Sequence, residues 1–338
     1  MSEPIDVFKL TRELIDIPSV TGEEFHIGTS LAELLNRRGY QVDLQEVEND
    51  RANLIATTGA QPKIVLATHM DTVPPYIAAS EDDEFIYGRG ACDAKGIIAA
   101  QIAAAERLRA DGVTEIGLVF TVDEEVTSAG AKALNELPLA ASCRYLINGE
   151  PTDNRLAIGT KGSLQVTIKT AGRAAHSAYP EQGDSAIEKL LDVLGDIRKI
   201  EWPADETFGG TTCNIGVISG GTRANVIPDE AQTVLQIRLA TGSQTAKDLL
   251  QRAVGERASL EYKSVHDPVR LHALPGFEST IVRFTTDIPY LTNWGTPLLI
   301  GPGSILDAHT ENERVEKKEL LKAVEIYREL VQRLLAVR

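Results

Sequence analysis

Residues 63–74 read Lys-Ile-Val-Leu-Ala-Thr-His-Met-Asp-Thr-Val-Pro. The stretch Lys63–Thr68 is a short run rich in Ile, Val and Leu, which predicts a strand buried on both faces. His69 and Asp71 follow at once, where a strand of an α/β sheet opens into a ligand crevice. Working outward, Ile116–Val122 and Tyr145–Ile147 repeat the apolar run, and the Ala-rich segment Ala94–Arg109 favours helix. Upstream, Val7–Ile15 and Glu24–Arg38 space their apolar residues as amphipathic helices do, and Gly39 supplies a stop. The alternation predicts an α/β fold: a mostly parallel sheet sandwiched by helices.

After Thr160 the pattern changes. Ser163–Thr170 alternates apolar and polar residues, Ser185–Ile200 is an amphipathic helix, Thr212–Ser219 and Gln232–Leu239 read as strands, Thr245–Val254 as helix and Val265–Pro268 as a last strand. That order fits a ferredoxin-like α+β unit inserted whole. The expected organisation is a catalytic domain over residues 1–160 and 271–338, interrupted by a lid and dimerisation domain over 161–270. A length of 338 residues suits about two domains.

Lys and Arg total 34 against 49 Asp and Glu, a formal net charge of −15. Nucleic acid and anionic membrane surfaces reward clustered positive charge, so neither is expected as a partner. Apolar runs such as Ile97–Ala105 are too short to span a bilayer. Met-Ser-Glu-Pro-Ile-Asp lacks the basic and apolar regions of a secretory signal, and a cytoplasmic location is expected. Cys92, Cys143 and Cys213 lie far apart and form no disulfide framework or Cys-based zinc site.

Common catalytic signatures are missing. There is no phosphate loop, no Gly-x-Ser-x-Gly and no His-Glu-x-x-His, and neither Gly88-x-Gly90 nor Gly301-x-Gly303 completes a dinucleotide fingerprint. What remains is a set of histidines and carboxylates at strand ends. Each has a plain structural reading when taken singly. His69 could be a hydrogen-bonded turn histidine, Asp93 a helix N-cap, Asp123-Glu124-Glu125 a solvated acidic loop and Glu150 a turn carboxylate. His309 could be a loop histidine and His176 a surface one. Leaving aside His176, which falls in the inserted unit, they supply two histidines and three to five carboxylates from one sheet. That is the donor chemistry of catalytic zinc, which takes neutral imidazole and carboxylate oxygen. One shared carboxylate would give each of two ions a histidine, a private acid and the shared one. Two dications against three carboxylates and a hydroxide leave such a cluster neutral, with Glu124 left over as a general base.

The chain resembles the co-catalytic zinc amidohydrolases and exopeptidases. That family includes acetylornithine deacetylase, succinyl-diaminopimelate desuccinylase, aminoacylase, glutamate carboxypeptidase and the di- and tripeptidases. Seven motifs in the family's order carry the likeness across essentially the whole chain: His-x-Asp-x-Val-Pro at 69–74, Gly-Arg-Gly-x-x-Asp-x-Lys-Gly at 88–96, Glu124-Glu125, Gly-Glu-Pro at 149–151, Gly-x-x-x-His-Ser at 172–177, Asn-Val-Ile-Pro at 225–228 and Ala-His-Thr at 308–310. The resemblance implies two divalent ions per subunit, zinc with cobalt as a substitute. His69, Asp93 and Glu150 would hold one ion, and Asp93, Glu125 and His309 the other. It further implies that Asp71 orients His69, that Glu124 is the general base, and that His176 reaches the active site of the partner in a homodimer formed through the lid. Asn225 and Arg238 would bind the substrate carboxylate, and Gly303 would lie in the loop facing it. Thr127-Ser128-Ala129-Gly130 departs from the Gly-Ser that often follows the paired acids in relatives.

The expected reaction is hydrolysis of a small N-acyl amino acid, in the manner of the acetylornithine deacetylase and desuccinylase-like members. The resemblance implies this through Glu150, since Glu rather than Asp at that position is more usual in the deacylase-like members. The alternative is a di- or tripeptidase or carboxypeptidase with the same machinery; a more remote one is a catalytically inactive metal-binding protein.

Overall fold

The computed structural model describes residues 3–59 and 61–337. The chain divides into two units: Met1–Ile158 with Leu271–Thr280 and Thr286–Arg338, and Gly159–Arg270 with Ile281–Thr285. The first unit begins with α1 (Val7–Ile15), α2 (Phe25–Arg37), β1 (Gln41–Glu48), β2 (Arg51–Thr57), β3 (Ile64–His69), α3 (Lys95–Ala110), β4 (Ile116–Thr121), α4 (Ala129–Asn135) and β5 (Tyr145–Asn148). The second contains β6 (Gly162–Ala171), α5 (Ala186–Ile197), β7 (Thr212–Gly220), β8 (Glu230–Leu239), α6 (Ser243–Val254) and β9 (Ser259–His266). The chain then returns to the first unit with β10 (Thr296–Leu299) and α7 (Lys317–Ala336).

The sheet of the first unit runs β1-β2-β4-β3-β5-β10. Its last four strands are parallel, and β1 and β2 form an antiparallel edge. The α/β class and the mostly parallel sheet are as the apolar runs predict. β3 and β4 are buried along their whole length, which is why they carry no polar alternation. α3 is buried on nearly every side, between the sheet and helices α1 and α7. Its alanines permit that close approach, while Ile97, Ile98, Ile102 and Leu108 fill the core with Leu54, Leu66, Leu118 and Phe120. Each such side chain contributes about 1.5–3 kcal/mol by burial. On the opposite face Trp294 closes a second cluster with Val65, Leu134 and Leu146, and its indole N–H donates to the Leu134 carbonyl (3.2 Å). No helix among the described residues is long and apolar enough to cross a membrane.

Strand register positions the functional end. Ala67 lies opposite Asn148, and His69 opposite Thr121. Continuing two residues past Ala67 and Asn148 brings His69 and Glu150 to the same carboxyl edge, with Asp123–Glu125 just beyond β4.

The β1–β2 hairpin has no counterpart among the sequence-based elements. Charges at Asp43, Glu46 and Glu48 make β1 an exposed, polar edge strand, and such strands lack the apolar signature. In the second unit an antiparallel sheet ordered β7-β8-β6-β9 carries α5 and α6. Its core holds Leu164, Val166, Leu190, Val193, Leu235, Ile237 and Leu250. β9 covers Ser259–His266 rather than Val265–Pro268, because a register shift between Tyr262 and Ser264 breaks the two-residue period.

Candidate active site

His69, at the end of β3, is 1% exposed. Its Nδ1 lies 2.9 Å from the main-chain oxygen of Asp71 and 3.5 Å from that residue's Oδ1, and its Nε2 lies 2.9 Å from Asp93 Oδ1. A donated Nδ1–H leaves the Nε2 lone pair free for a ligand. Asp93 does not act as a helix cap: α3 is capped at Ala94, without a side-chain bond. Its carboxylate instead spans two histidines, with Oδ2 3.3 Å from His309 Nε2. The same His309 nitrogen is 3.0 Å from Glu125 Oε1. Four of the expected residues, His69, Asp93, Glu125 and His309, thus form one chain of contacts. Glu150 is buried at the neighbouring strand end, 3.4 Å from the Asn148 amide.

The acid pair is held from beneath. Asp71 Oδ1 accepts the Glu124 N–H (3.0 Å), and Oδ2 accepts the Glu125 N–H (3.1 Å) and the Thr21 hydroxyl (2.8 Å). Asp123 adopts φ +68°, which turns the chain sharply after β4. Arg51 fixes that turn: it donates twice to Glu24 (2.7 Å each) and once to Asp123 (2.8 Å), and Glu24 also accepts the Asp123 N–H (3.3 Å). Thr21, Glu24 and Arg51 are supporting residues that sequence reasoning missed. They lie outside the motifs, and only the fold reveals their bonds. Asp287 is another: buried, it accepts from Thr121 (2.9 Å), and its Oδ1 has no hydrogen-bond partner among the described residues.

The electrostatics are dominated by closely spaced, buried acids. Burial pushes Glu124 and Glu150 well above the usual carboxylate range, and neighbouring acids add to both shifts. Burial raises Glu125 as well, and Asp287 to about 6. Asp93 moves the other way: burial works against its ionised form, but bonds to His309 and His69 hold it below 3.8. His309 is pushed up to about 10 by its bonds to Asp93 and Glu125. His69 is raised too, since bonds to Asp71 and Asp93 outweigh the effect of burial. Protons therefore sit where cations would neutralise the same charges.

That donor set fits a divalent metal. Donor atoms of His69, Asp93 and Glu125 lie within 4.8 Å of one another, and all are imidazole nitrogen or carboxylate oxygen. Gly303 also has a local packing reason for being glycine. At φ +84°, a Cβ would come within 2.5 Å of Cys92 Cβ, and the Gly303 N–H is committed to Glu319 (3.0 Å). A side chain at Gly303 would therefore collide with the buried Cys92. Burial raises the Cys92 thiol well above its ordinary value, as befits an inert packed side chain.

The remaining expected residues belong to the second unit. His176 pairs across a short ladder with Val226, and Ser177 N–H donates to the Asn225 carbonyl (3.0 Å), so His176 and Asn225 are neighbours. His176 is exposed, and its Nδ1 accepts the Ala178 N–H (3.1 Å), which leaves Nε2 as the outward donor. Arg238 stands near the other end of the sheet, paired with Thr212 and Ser163. It is eight residues along β8 from Glu230, about 27 Å at the usual rise per residue. It is half-buried and makes no ion pair among the described residues, and burial lowers its pKa.

A family model described as Peptidase family M20/M25/M40 matches residues 65–333. A peptidase M20 domain-containing protein of Schizosaccharomyces pombe is 35% identical over 337 residues, covering 96% of this chain and 84% of that protein. A probable carboxypeptidase of Aspergillus terreus is 38% identical over 366 residues, covering 95% and 84%. Among solved structures, a tripeptidase of Staphylococcus aureus superposes with a TM-score of 0.81 over 96% of both chains at 23% identity, a likeness of fold.

Proposed function

The chain belongs to peptidase family M20/M25/M40, and from that premise we propose that it is a two-metal exopeptidase releasing the C-terminal residue of a small peptide. The observation that carries this reading is the convergence of two histidines and three carboxylates at the carboxyl edge of parallel strands. The carboxypeptidase relative favours peptides over the N-acyl amino acids that Glu150 suggested. The two substrate classes share one chemistry at the scissile amide, a leaving amino acid with a free carboxylate. N-acyl amino acid hydrolysis therefore stands as the second reading.

His69, Asp93 and Glu150 would hold one ion and Asp93, Glu125 and His309 the other, with zinc the best match to the donors. The ions, when bound, polarise the amide carbonyl and acidify the attacking water. Glu124 takes the water's proton and delivers it to the leaving amine. Asp71 keeps Glu124 and Glu125 in place through their main-chain N–H groups. Arg238, a half-buried guanidinium with no ion pair among the described residues of an acidic chain, grips the substrate carboxylate.

The second unit serves as lid and dimer interface. β7 is its exposed edge, with Val217 and Ile218 more than half exposed. Edge-to-edge pairing with a second copy would cover them in an isologous dimer. His176 lies on a two-stranded ladder with Val226–Ile227, just before the Glu230 end of β8, whereas Arg238 stands near the far end of β8, so a single active site would draw them from different protomers. His176 Nε2 then donates to the developing oxyanion in its partner's site, with Asn225 beside it.

The test is a substrate panel with zinc present. An N-blocked dipeptide with a free C-terminus should be cleaved at its amide, its C-terminal amide should resist, and an N-acetyl amino acid should react more slowly. Turnover of N-acetyl amino acids alone would replace the peptidase reading with the deacylase one. Equal cleavage of the amidated peptide would remove Arg238 from substrate binding.

A further inference from the structure

The segment Gly88–Asp93 carries no regular secondary structure and lies buried, so its main-chain N–H groups need partners that are not water. Three of them converge on one atom. Glu313 Oε1 accepts from Gly90 (2.9 Å), Cys92 (3.3 Å) and Asp93 (3.2 Å). The other oxygen, Oε2, accepts from Arg89 Nη1 at 2.6 Å, and both side chains are almost wholly buried. Arg89 also donates to the main-chain oxygens of Pro75 and Thr310 (3.2 Å each). The pair thus ties the loop that ends in Asp93 to the loop that carries His309. None of these contacts serves the reaction directly.

We infer that Glu313, seated in a nest of three N–H groups and balanced by Arg89, is a positioning residue that fixes the Asp93 carboxylate between His69 and His309. The inference rests on the two-metal reading above, in which Asp93 is the shared ligand. A ligand shared by two ions must present both oxygens at once, so its backbone cannot drift. Glu313 anchors that backbone at the Asp93 N–H itself. A carboxylate suits the task, because three converging N–H dipoles form an anion-binding concavity. A neutral amide offers one oxygen and turns a donor toward Arg89. Outer groups that orient metal ligands typically change affinity by about 10- to 100-fold when altered. Since Asp93 would serve both ions, both affinities should fall together.

The experiment measures zinc binding by competition with a chromophoric chelator on metal-free, full-length wild type, Glu313→Gln and Glu313→Asp. Circular dichroism checks each fold. Wild type should bind two ions. Folded Glu313→Gln should bind both about 10- to 100-fold more weakly. If that variant does not fold, Glu313→Asp carries the test: it keeps the charge opposite Arg89 but shortens the reach into the nest, and should show the same joint weakening. Wild-type zinc affinity in folded Glu313→Gln, or failing that in Glu313→Asp, would overturn the inference even if thermal stability dropped, since a merely structural role predicts that pattern. Wild type binding fewer than two ions would instead overturn the two-metal reading, so the two failures are distinct.

Discussion

His69 and His176 are held in opposite ways. His69 is fully enclosed, and both its ring nitrogens face specific acceptors within the first unit. His176 is exposed on the second unit and accepts one N–H from its own turn. The contrast extends to their neighbours. Around His69 the carboxylates are braced by Arg51, Thr21 and main-chain N–H groups, whereas Arg238 makes no ion pair among the described residues. The first unit therefore holds its candidate site residues with bonds of its own. Under the proposed function, the second unit acquires its role only when substrate and a second copy arrive. Pre-organisation keeps ligands within the small tolerance that metal chemistry demands.

The strongest break in this comparison is at Glu124. Glu124→Gln keeps the shape and removes the base, so kcat should fall by about 10² or more while both ions remain bound. Steady-state rates with elemental analysis of the same preparation check this. A near-wild-type rate would take the base away from Glu124.

Next is His176→Ala, where loss of one oxyanion donor should cost about 10²-fold in kcat. Mixing this variant with Glu124→Ala sharpens the test. If subunits exchange at random, about half the dimers are hybrids with one whole site of two, and roughly a quarter of wild-type activity should return. A mixture that exchanges subunits yet stays inactive would return His176 to its own protomer or remove it from catalysis.

A smaller effect is expected in the brace itself. Asp71→Asn replaces one acceptor oxygen with an amide donor facing the Glu124 or Glu125 N–H. Zinc affinity should weaken by about 10-fold or more. Isothermal titration reads this directly, and unchanged affinity would make the brace dispensable.

The smallest effect is thermal and depends on pH. In metal-free protein, His309 binds its proton up to about pH 10, against an ordinary value of 6.5. The folded chain holds that proton more tightly than the unfolded one, so this stabilisation is complete below about pH 6.5 and disappears as pH rises toward 10. Raised Glu124, Glu125 and Glu150 act in the same direction. Chelated protein should therefore melt a few degrees lower at pH 9 than at pH 6.5. Zinc should raise Tm more at the higher pH, because it replaces those protons. A metal-free Tm that is flat or rises over this range would contradict the electrostatic account.

Much of this could be read from the chain, for reasons that differ by residue. β3, β4 and β5 announce themselves because a strand buried on both faces must be apolar throughout. His69, Asp93, Glu125 and His309 are each ordinary when taken singly and stand out together, because histidines and acids after several strands of one sheet, or in Gly-rich loops, make up a metal's donor set. β1 went unread because an edge strand facing water has no such requirement. Glu24, Arg51, Asp287 and Glu313 were invisible for another reason: each is an ordinary polar residue far along the chain from what it supports, and long-range hydrogen bonds leave no local pattern. Gly303 shows the converse case: the glycine was legible, but its packing against the Cys92 side chain was not.

The central claim is that this carboxyl-edge cluster hydrolyses amides only with metal in place. The most direct test adds zinc stepwise to chelator-treated protein whose metal content is known by elemental analysis, and follows cleavage of an N-blocked dipeptide. The account predicts no turnover in the metal-free protein and a rise to full activity as the ions approach two per chain. Full turnover in a preparation shown to contain no metal would contradict it.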